Sequence, residues 1–294
     1  MKISKITLGT VNFGQNYGLR YKEKNKITKK NAIQIIQKAF KSGINTFDTS
    51  PEYGNAERIL GEALKKSKCL IATKIYIKTN KEKINFKKLL ESINRSRKNL
   101  NKKKLDYIQI HNANINIFKN QNIKKFFLDL KKKKLVKKIG STVYTQREAL
   151  AAINSGWVES IQVPYNLINQ EMNIKVFSLA KKNNIKIFTR STFLKGLLTD
   201  KIYFLPKQME VLTKEIKKKL SKLNLDIKDL KQLALKFVTS NNKIDSIVLG
   251  VENFEQLNEI IKLKKKKFSN SYLKKLSIFN SKSKLKDPRT WPFI

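Results

Sequence analysis

Cysteine and histidine are almost missing from this chain. Its 294 residues contain one of each, Cys69 and His111. A single cysteine excludes an intramolecular disulfide and fits a reducing compartment. With one histidine and one cysteine, most ligands of a metal site would have to be carboxylates, so no metal is expected. No apolar run approaches the ~20 residues of a membrane-spanning helix. The N-terminus, Met1-Lys2-Ile3-Ser4-Lys5-Ile6, lacks the long apolar core of a signal peptide. The expectation is a cytoplasmic protein with no membrane partner. Acidic residues are also scarce: 22 Asp and Glu stand against 64 Lys and Arg, a net charge of +42.

That charge has two readings. A basic surface attracts nucleic acid or anionic lipid. Alternatively, heavy use of Lys, Asn and Ile, all with AT-rich codons, reflects mutational bias. The lysines are spread over every segment, as at Lys29-Lys30, Lys87-Lys88, Lys102 to Lys104, Lys131 to Lys134, Lys217 to Lys219 and Lys264 to Lys267. No aromatic RNA-binding pattern or zinc finger accompanies them. The second reading is favoured, and no specific nucleic-acid partner is expected.

What is present is an alternation of short apolar runs with longer amphipathic ones. The runs read as strands are Ile6 to Gly9, Ile44 to Phe47, Leu70 to Lys74, Leu105 to Ile110, Val136 to Gly140, Val158 to Val163, Ile185 to Thr189 and Ile244 to Leu249. Helical faces fall between them. One is Ile33, Ile36 and Phe40, ended by Gly43; another opens on the capping box Thr145-Gln146-Arg147-Glu148 and closes at Gly156. A helix is expected around Leu273 to Ile278. Strand–helix alternation of this length suggests a closed (β/α)₈ TIM barrel, an α/β fold, over residues 1–294 as a single domain. An open doubly wound sheet is the runner-up. It usually carries a G-x-G-x-x-G turn, and here Gly9 and Gly14 stand alone. The tail, from about residue 281 to 294, carries Trp291 and Phe293 and either folds back over the barrel or frays.

The reactive side chains share one topological address. Asp48 follows the second strand and Tyr53 lies in the loop beyond it. Lys74 ends the third strand, His111 follows the fourth and Ser141 the fifth. Gln162 lies near the end of the sixth, and Arg190-Ser191 end the seventh. In a barrel these ends meet on the rim where barrel active sites sit. A free tyrosine, with a pKa of about 10, is a poor acid near neutrality. A lysine ammonium beside it would lower that value, and Asp48 would hold the ammonium in place. His111 could orient a carbonyl oxygen for protonation by Tyr53. No side chain can supply hydride, so a nicotinamide cofactor is required.

These residues resemble the aldo-keto reductases over nearly the whole chain. Asp48, Tyr53, Lys74 and His111 match that family's catalytic tetrad in identity, order and strand position. Gly43-x-x-x-Phe47-Asp48-Thr49-Ser50-x-x-Tyr53-Gly54 matches its first signature. The resemblance implies NAD(P)-dependent reduction of a small carbonyl substrate, with NADP(H) or NAD(H) extended across the rim. It implies that Tyr53 is the proton donor and that Ser141 and Gln162 meet the nicotinamide carboxamide. Ser191 to Gly196, with Phe193 and Leu194, would form the pyrophosphate loop. The run from Gly250 through Asn253 to Gln256 would cradle the adenosine end. Leu8 to Gly18 is similar to a bacterial branch often linked with polysaccharide or sugar-nucleotide biosynthesis.

Three departures shape the details. Thr142 follows Ser141 where the family has Asn. Arg190 stands where an aromatic residue often stacks on nicotinamide; it would either stack there itself or turn toward phosphate or solvent. Glu252 lies where NADP-dependent members place a base, so weak NADPH preference or use of NADH is expected. Asn112 to Asn122 would line the pocket or lie in solvent. The alternative function is a non-catalytic, cofactor-binding relative acting as a regulatory or scaffold subunit. The intact tetrad argues against it.

Overall fold

The parallel strands close on themselves in sequence order. The computed structural model describes residues 1–15, 27–78, 84–262 and 268–291. The strands are β1 (Ile6–Gly9), β2 (Thr46–Asp48), β3 (Leu70–Ile75), β4 (Leu105–Ile110), β5 (Val136–Thr142), β6 (Ser160–Pro164), β7 (Lys186–Arg190) and β8 (Ser246–Gly250). Each pairs with the next, and β8 returns to β1 through Ile6↔Ile247 to Gly9↔Gly250. This is the expected (β/α)₈ barrel.

Six strands run one or two residues further toward their carboxyl ends than the apolar runs suggest. Asp48, Thr142 and Arg190 are strand residues, not loop residues. An apolar run stops where inward-facing positions turn polar, but the ladder of backbone hydrogen bonds continues past that point.

The connecting helices are α1 (Val11–Gly14), α2 (Lys29–Lys41), α3 (Ala56–Ala63), α4 (Phe86–Asn99), α5 (Ile115–Lys119), α6 (Gln121–Lys132), α7 (Gln146–Asn154), α8 (Val176–Lys182), α9 (Glu210–Ser221), α10 (Ile227–Ser240), α11 (Phe254–Lys262) and α12 (Asn270–Lys275). The capping box at Thr145 and Glu148 forms as expected, and Gly156, at φ +73°, follows the end of α7. The helix expected at Leu273 to Ile278 begins earlier and tightens into a 3-10 turn at Leu276–Phe279. The short α1 carries too little periodicity to show in the sequence.

Two apolar layers hold the barrel. The larger lies between strands and helices, with Leu8, Phe47, Ile71 and Ile108 on the strand side and Ile36, Leu60, Ile93 and Phe127 on the helix side. The smaller fills the barrel itself, where Tyr107 and Phe188 pack edge-on at 5.7 Å beside Ala72. Strand register then stacks polar residues above that plug: Asp48 pairs with Ala72, Lys74 with Gln109, and Thr142 with Gln162. A two-residue step along a strand returns to the same face, so the layer above the plug is the layer below the rim.

The described lysine runs are exposed or half-buried; Lys264 to Lys267 fall outside the described residues. The tail does fold back. Ser281 donates its amide to Ile168 O at 2.9 Å, Lys286 pairs with Glu171, and Trp291 is buried with its indole N–H on Leu285 O. Phe293 lies outside the described residues.

Candidate active site

Asp48 and Lys74 come from neighbouring strands and meet beneath the rim. The Lys74 ammonium donates to both Asp48 oxygens, at 2.8 and 2.7 Å, and to the Thr49 carbonyl at 3.0 Å. The two residues are 2% and 4% exposed. Burial is the largest single effect and opposes charge on the lysine, but Asp48 and Tyr53 together outweigh it and hold the Lys74 pKa above its usual value. Asp48 is itself pinned: Thr10 donates both its amide and its hydroxyl to the Asp48 carbonyl.

Tyr53 lies over this pair, with the Lys74 nitrogen 4.9 Å from its ring centre. His111 meets the same ring edge-on at 6.1 Å. So the structure brings all four tetrad positions together. The phenol departs from the sequence argument in one respect. Burial raises its pKa more than Lys74 lowers it, so the value lies above 10.0 and the group keeps its proton. His111 is pushed down to about 4, first by burial and then by Lys74, and is therefore neutral near pH 7. A neutral imidazole can still donate one hydrogen bond.

Gln162 does not stand free. Its amide donates to Asp48 Oδ1 at 2.7 Å and to Gln109 Oε1 at 3.3 Å. Thr142 turns inward, and its hydroxyl donates to the carbonyls of Ile110 and His111. It therefore anchors the backbone that carries the histidine. Asn112 bridges both backbone groups of Ile77, while Asn114 and Asn120 cap α5 and α6. These asparagines organise loops; none of them lines the cleft described next.

A cleft of about 250 Å³ crosses the rim from Tyr53 to α11. Asp48, Tyr53 and Gln162 line one end; the segment Arg190 to Gly196 lines the middle; Gly250, Glu252 and Gln256 line the other end. Its floor is made by Gly9 and Thr10 on one side of the β1–β8 seam and Val248 to Gly250 on the other. Ser191, Leu194, Lys195 and Gly196 all have positive φ, from 46° to 109°, and the Leu194 and Gly196 amides donate within the turn to the Ser191 and Phe193 carbonyls.

The aldo/keto reductase family model matches residues 5–280. The chain belongs to the aldo-keto reductase family. Its members are oxidoreductases that reduce carbonyls with NAD(P)H. The chain is 28% identical to aldo-keto reductase YhdN of Bacillus subtilis over 187 residues, 59% of this chain and 55% of that protein. It is 25% identical to L-galactose dehydrogenase of Arabidopsis thaliana over 281 residues, 88% of this chain and 83% of that one. Among solved structures, the holo form of aldo-keto reductase AKR11C1 from Bacillus halodurans superposes with a TM-score of 0.77 at 17% identity, covering 96% of this chain and 93% of that one.

The reductase cleft fits a nicotinamide cofactor. The hydroxyls of Ser141 and Thr192 and the Arg190 Nη2 are buried with no hydrogen-bond partner among the described residues. Buried polar groups left open in this way call for a polar ligand. Ser141 itself lies outside the cleft lining. Asn253 is placed differently from the expectation: it is outside the cleft lining, and its side chain accepts the Gln256 amide at 2.9 Å, capping α11. Arg190 does not point to solvent. Its guanidinium lies over the Tyr144 ring, 4.1 Å from the centre. Glu252 accepts from Lys201 at 3.4 Å and from Gln256 at 3.3 Å. Sequence reasoning missed Tyr144, and it named Thr142 and Gly14 without the contacts they make, because each acts through a neighbour distant in sequence. No helix among the described residues is long and apolar enough to cross a membrane.

Proposed function

We propose that this chain reduces an aldehyde or ketone to the alcohol, with Tyr53 as proton donor. The observation that carries the reading is the buried Lys74–Asp48 pair directly beneath the Tyr53 ring. A phenol that burial keeps protonated holds its proton until a partner of rising basicity arrives. Reduced nicotinamide bound in the cleft supplies the hydride. As negative charge grows on the substrate oxygen, Tyr53 transfers its proton there. The phenolate left behind is stabilised by the Lys74 ammonium. Neutral His111 donates to the same oxygen and fixes its direction. Asp48 keeps the ammonium charged and in place.

Ser141 and Gln162 hold the carboxamide in this reading, the Arg190 to Gly196 segment follows the pyrophosphate, and Gly250 to Gln256 hold the adenosine end. Around that end Lys195, Lys201 and Lys231 are matched by Asp200, Glu252 and Glu259. The net positive charge of the protein is thus balanced locally, which supports use of NADH with little preference for NADPH. A sugar-derived carbonyl is the preferred substrate class, supported by the likeness to a plant L-galactose dehydrogenase.

The test is NADH and NADPH consumption across a panel of aldehydes and keto-sugars, with Tyr53→Phe alongside. Turnover by the native chain and a large loss in Tyr53→Phe support the reading. Equal rates in the two proteins remove Tyr53 from its role. Cofactor binding without turnover of any carbonyl points instead to a regulatory relative. NADPH binding a hundredfold tighter than NADH overturns the cofactor preference.

A further inference from the structure

Glu57 is a buried carboxylate outside the tetrad. It stands in the first turn of α3 and is 1% exposed. Both of its oxygens go to neutral donors: the Thr73 hydroxyl donates to Oε1 at 2.6 Å, and the Asn99 side-chain amide donates to Oε2 at 3.1 Å. Burying a carboxylate against neutral partners opposes folding, and an apolar side chain of similar size would pack there with less penalty. What the carboxylate holds together explains its place.

Thr73 and Lys74 are successive residues of β3, so their side chains leave opposite faces of the strand. Lys74 points into the barrel and meets Asp48, while Thr73 points outward to α3. That helix in turn carries the loop of Tyr53. The amide of Ala56, its first residue, donates to the Tyr53 carbonyl at 3.1 Å, and Glu57 comes next in sequence. A single carboxylate thus joins the strand of the ammonium to the loop of the phenol. The end of α4 closes the frame. Glu57 and Gly61 lie one turn apart on α3, and both face that end. A Cβ on Gly61 would stand 2.1 Å from the Asn99 carbonyl oxygen, and the Gly61 carbonyl accepts from the Asn101 side chain at 3.1 Å. Contact at Gly61 stops α3 from moving toward α4, and Glu57 stops it from leaving β3.

We propose that Glu57 is a positioning residue for the proton transfer: by tying α3 to the outer face of β3, it fixes how far the Tyr53 phenol stands from the Lys74 ammonium. Its effect on rate rests on the carbonyl reductase reading above. The Lys74 nitrogen lies 4.9 Å from the Tyr53 ring centre. A misplacement of about 1 Å between such groups costs on the order of a hundredfold in rate. A carboxylate suits the task because a hydroxyl donating to it makes a short, strong bond, and it has no donor of its own to compete. Neither Glu57 nor Thr73 lines the cleft, so their loss falls on the chemical step and leaves cofactor affinity alone.

The experiment compares native protein with Thr73→Val, Glu57→Leu and Glu57→Gln. It measures kcat with an aldehyde that the native protein turns over, the NADH dissociation constant by fluorescence titration, and crystal structures of the native and Thr73→Val proteins. The expected result is a fall in kcat of at least ~tenfold in Thr73→Val and Glu57→Leu, with NADH binding kept within about twofold. Glu57→Gln keeps most of the rate, because an amide oxygen still accepts from Thr73. A kcat within about threefold of native in folded Thr73→Val overturns the proposal. So does a loss of NADH affinity equal to the loss of rate, or a Glu57→Gln protein as slow as Glu57→Leu. Where Glu57→Leu does not fold, Thr73→Val removes the same bond from the strand side and carries the test. If the native protein turns over no carbonyl, the reductase reading fails, and the crystal structures judge the positioning alone. A longer Tyr53–Lys74 separation in Thr73→Val supports it, and an unchanged separation overturns it.

Discussion

Gly14 and Tyr53 touch backbone to backbone. A Cβ added to Gly14 would stand 1.6 Å from the Tyr53 carbonyl oxygen and 2.9 Å from the Ala56 nitrogen. Gly54 faces it from the other side at φ +55°, and a Cβ there would meet the Gly14 oxygen at 2.6 Å. The two glycines let the end of α1 press against the loop that aims the phenol. Gly14→Ala therefore has to displace that loop. With Tyr53 as acid, a shift of about 1 Å costs on the order of a hundredfold in kcat/KM. Steady-state kinetics with a circular dichroism spectrum beside them check this. A near-native rate in a folded Gly14→Ala protein would show that the loop tolerates the side chain.

The Lys74–Asp48 pair predicts an asymmetry in stability. Asp48→Asn leaves a buried ammonium without its counter-charge, and a loss of ~3–5 kcal/mol is expected. Replacing both, as Asp48→Leu with Lys74→Met, removes the charges together and restores much of that loss while activity stays abolished. Urea unfolding of the single and double variants measures the difference. Equal destabilisation by the double variant would mean that the pair is not coupled.

The pH dependence follows from His111 and Tyr53. His111 titrates at about 4 in the folded chain instead of 6.5, and Tyr53 above 10.0. Activity that needs neutral His111 and protonated Tyr53 is then level from about pH 5 to 9, with falls toward pH 4 and above pH 10. For stability, the unfolded chain binds the His111 proton first. The folded state is therefore penalised progressively as pH drops from about 6.5 to about 4, and the penalty is complete below that. Asp245 acts in the same direction. Lys181 and the Ile187 amide depress its pKa, so its contribution is present above the unfolded carboxylate value and is lost as pH falls through the folded one. An acid limb of kcat/KM centred near pH 6.5 would contradict the His111 assignment.

Thr142 ties His111 to the barrel through its hydroxyl. Thr142→Val keeps the shape and leaves the His111 and Ile110 carbonyls without that donor. A stability loss of ~1–2 kcal/mol is expected, with a larger effect on kcat/KM than the substitution would cause elsewhere in the core. Thr142→Ser restores the hydroxyl and should recover activity. Failure of serine to recover it would point to packing of the methyl group instead.

The barrel could be read from the chain because strand and helix periods are local signals. Asp48 and Lys74 were legible for the same reason, since each ends an apolar run on the same inward face. The bond from Gln162 to Asp48 was not, because it joins β6 to β2 across the barrel and no spacing announces it. Arg190 was legible as a departure from an aromatic position, but its stacking on Tyr144 was not. Gly14 reads as half of a missing nucleotide motif, whereas its purpose is a close approach to Tyr53. Asn112 reads as either pocket-lining or solvated from its place after His111, yet its amide is used up on Ile77. Loop polarity alone does not distinguish a ligand contact from a bond to the chain's own backbone.

The floor of the cleft straddles the β1–β8 seam, where the earliest strand meets the latest. During synthesis β1 waits with one edge unpaired until more than two hundred further residues have left the ribosome, and such an edge invites association with other chains. A ligand lying across Gly9, Thr10 and Gly250 bridges both sides of that join. A ligand bound there would add its binding free energy to the closed ring.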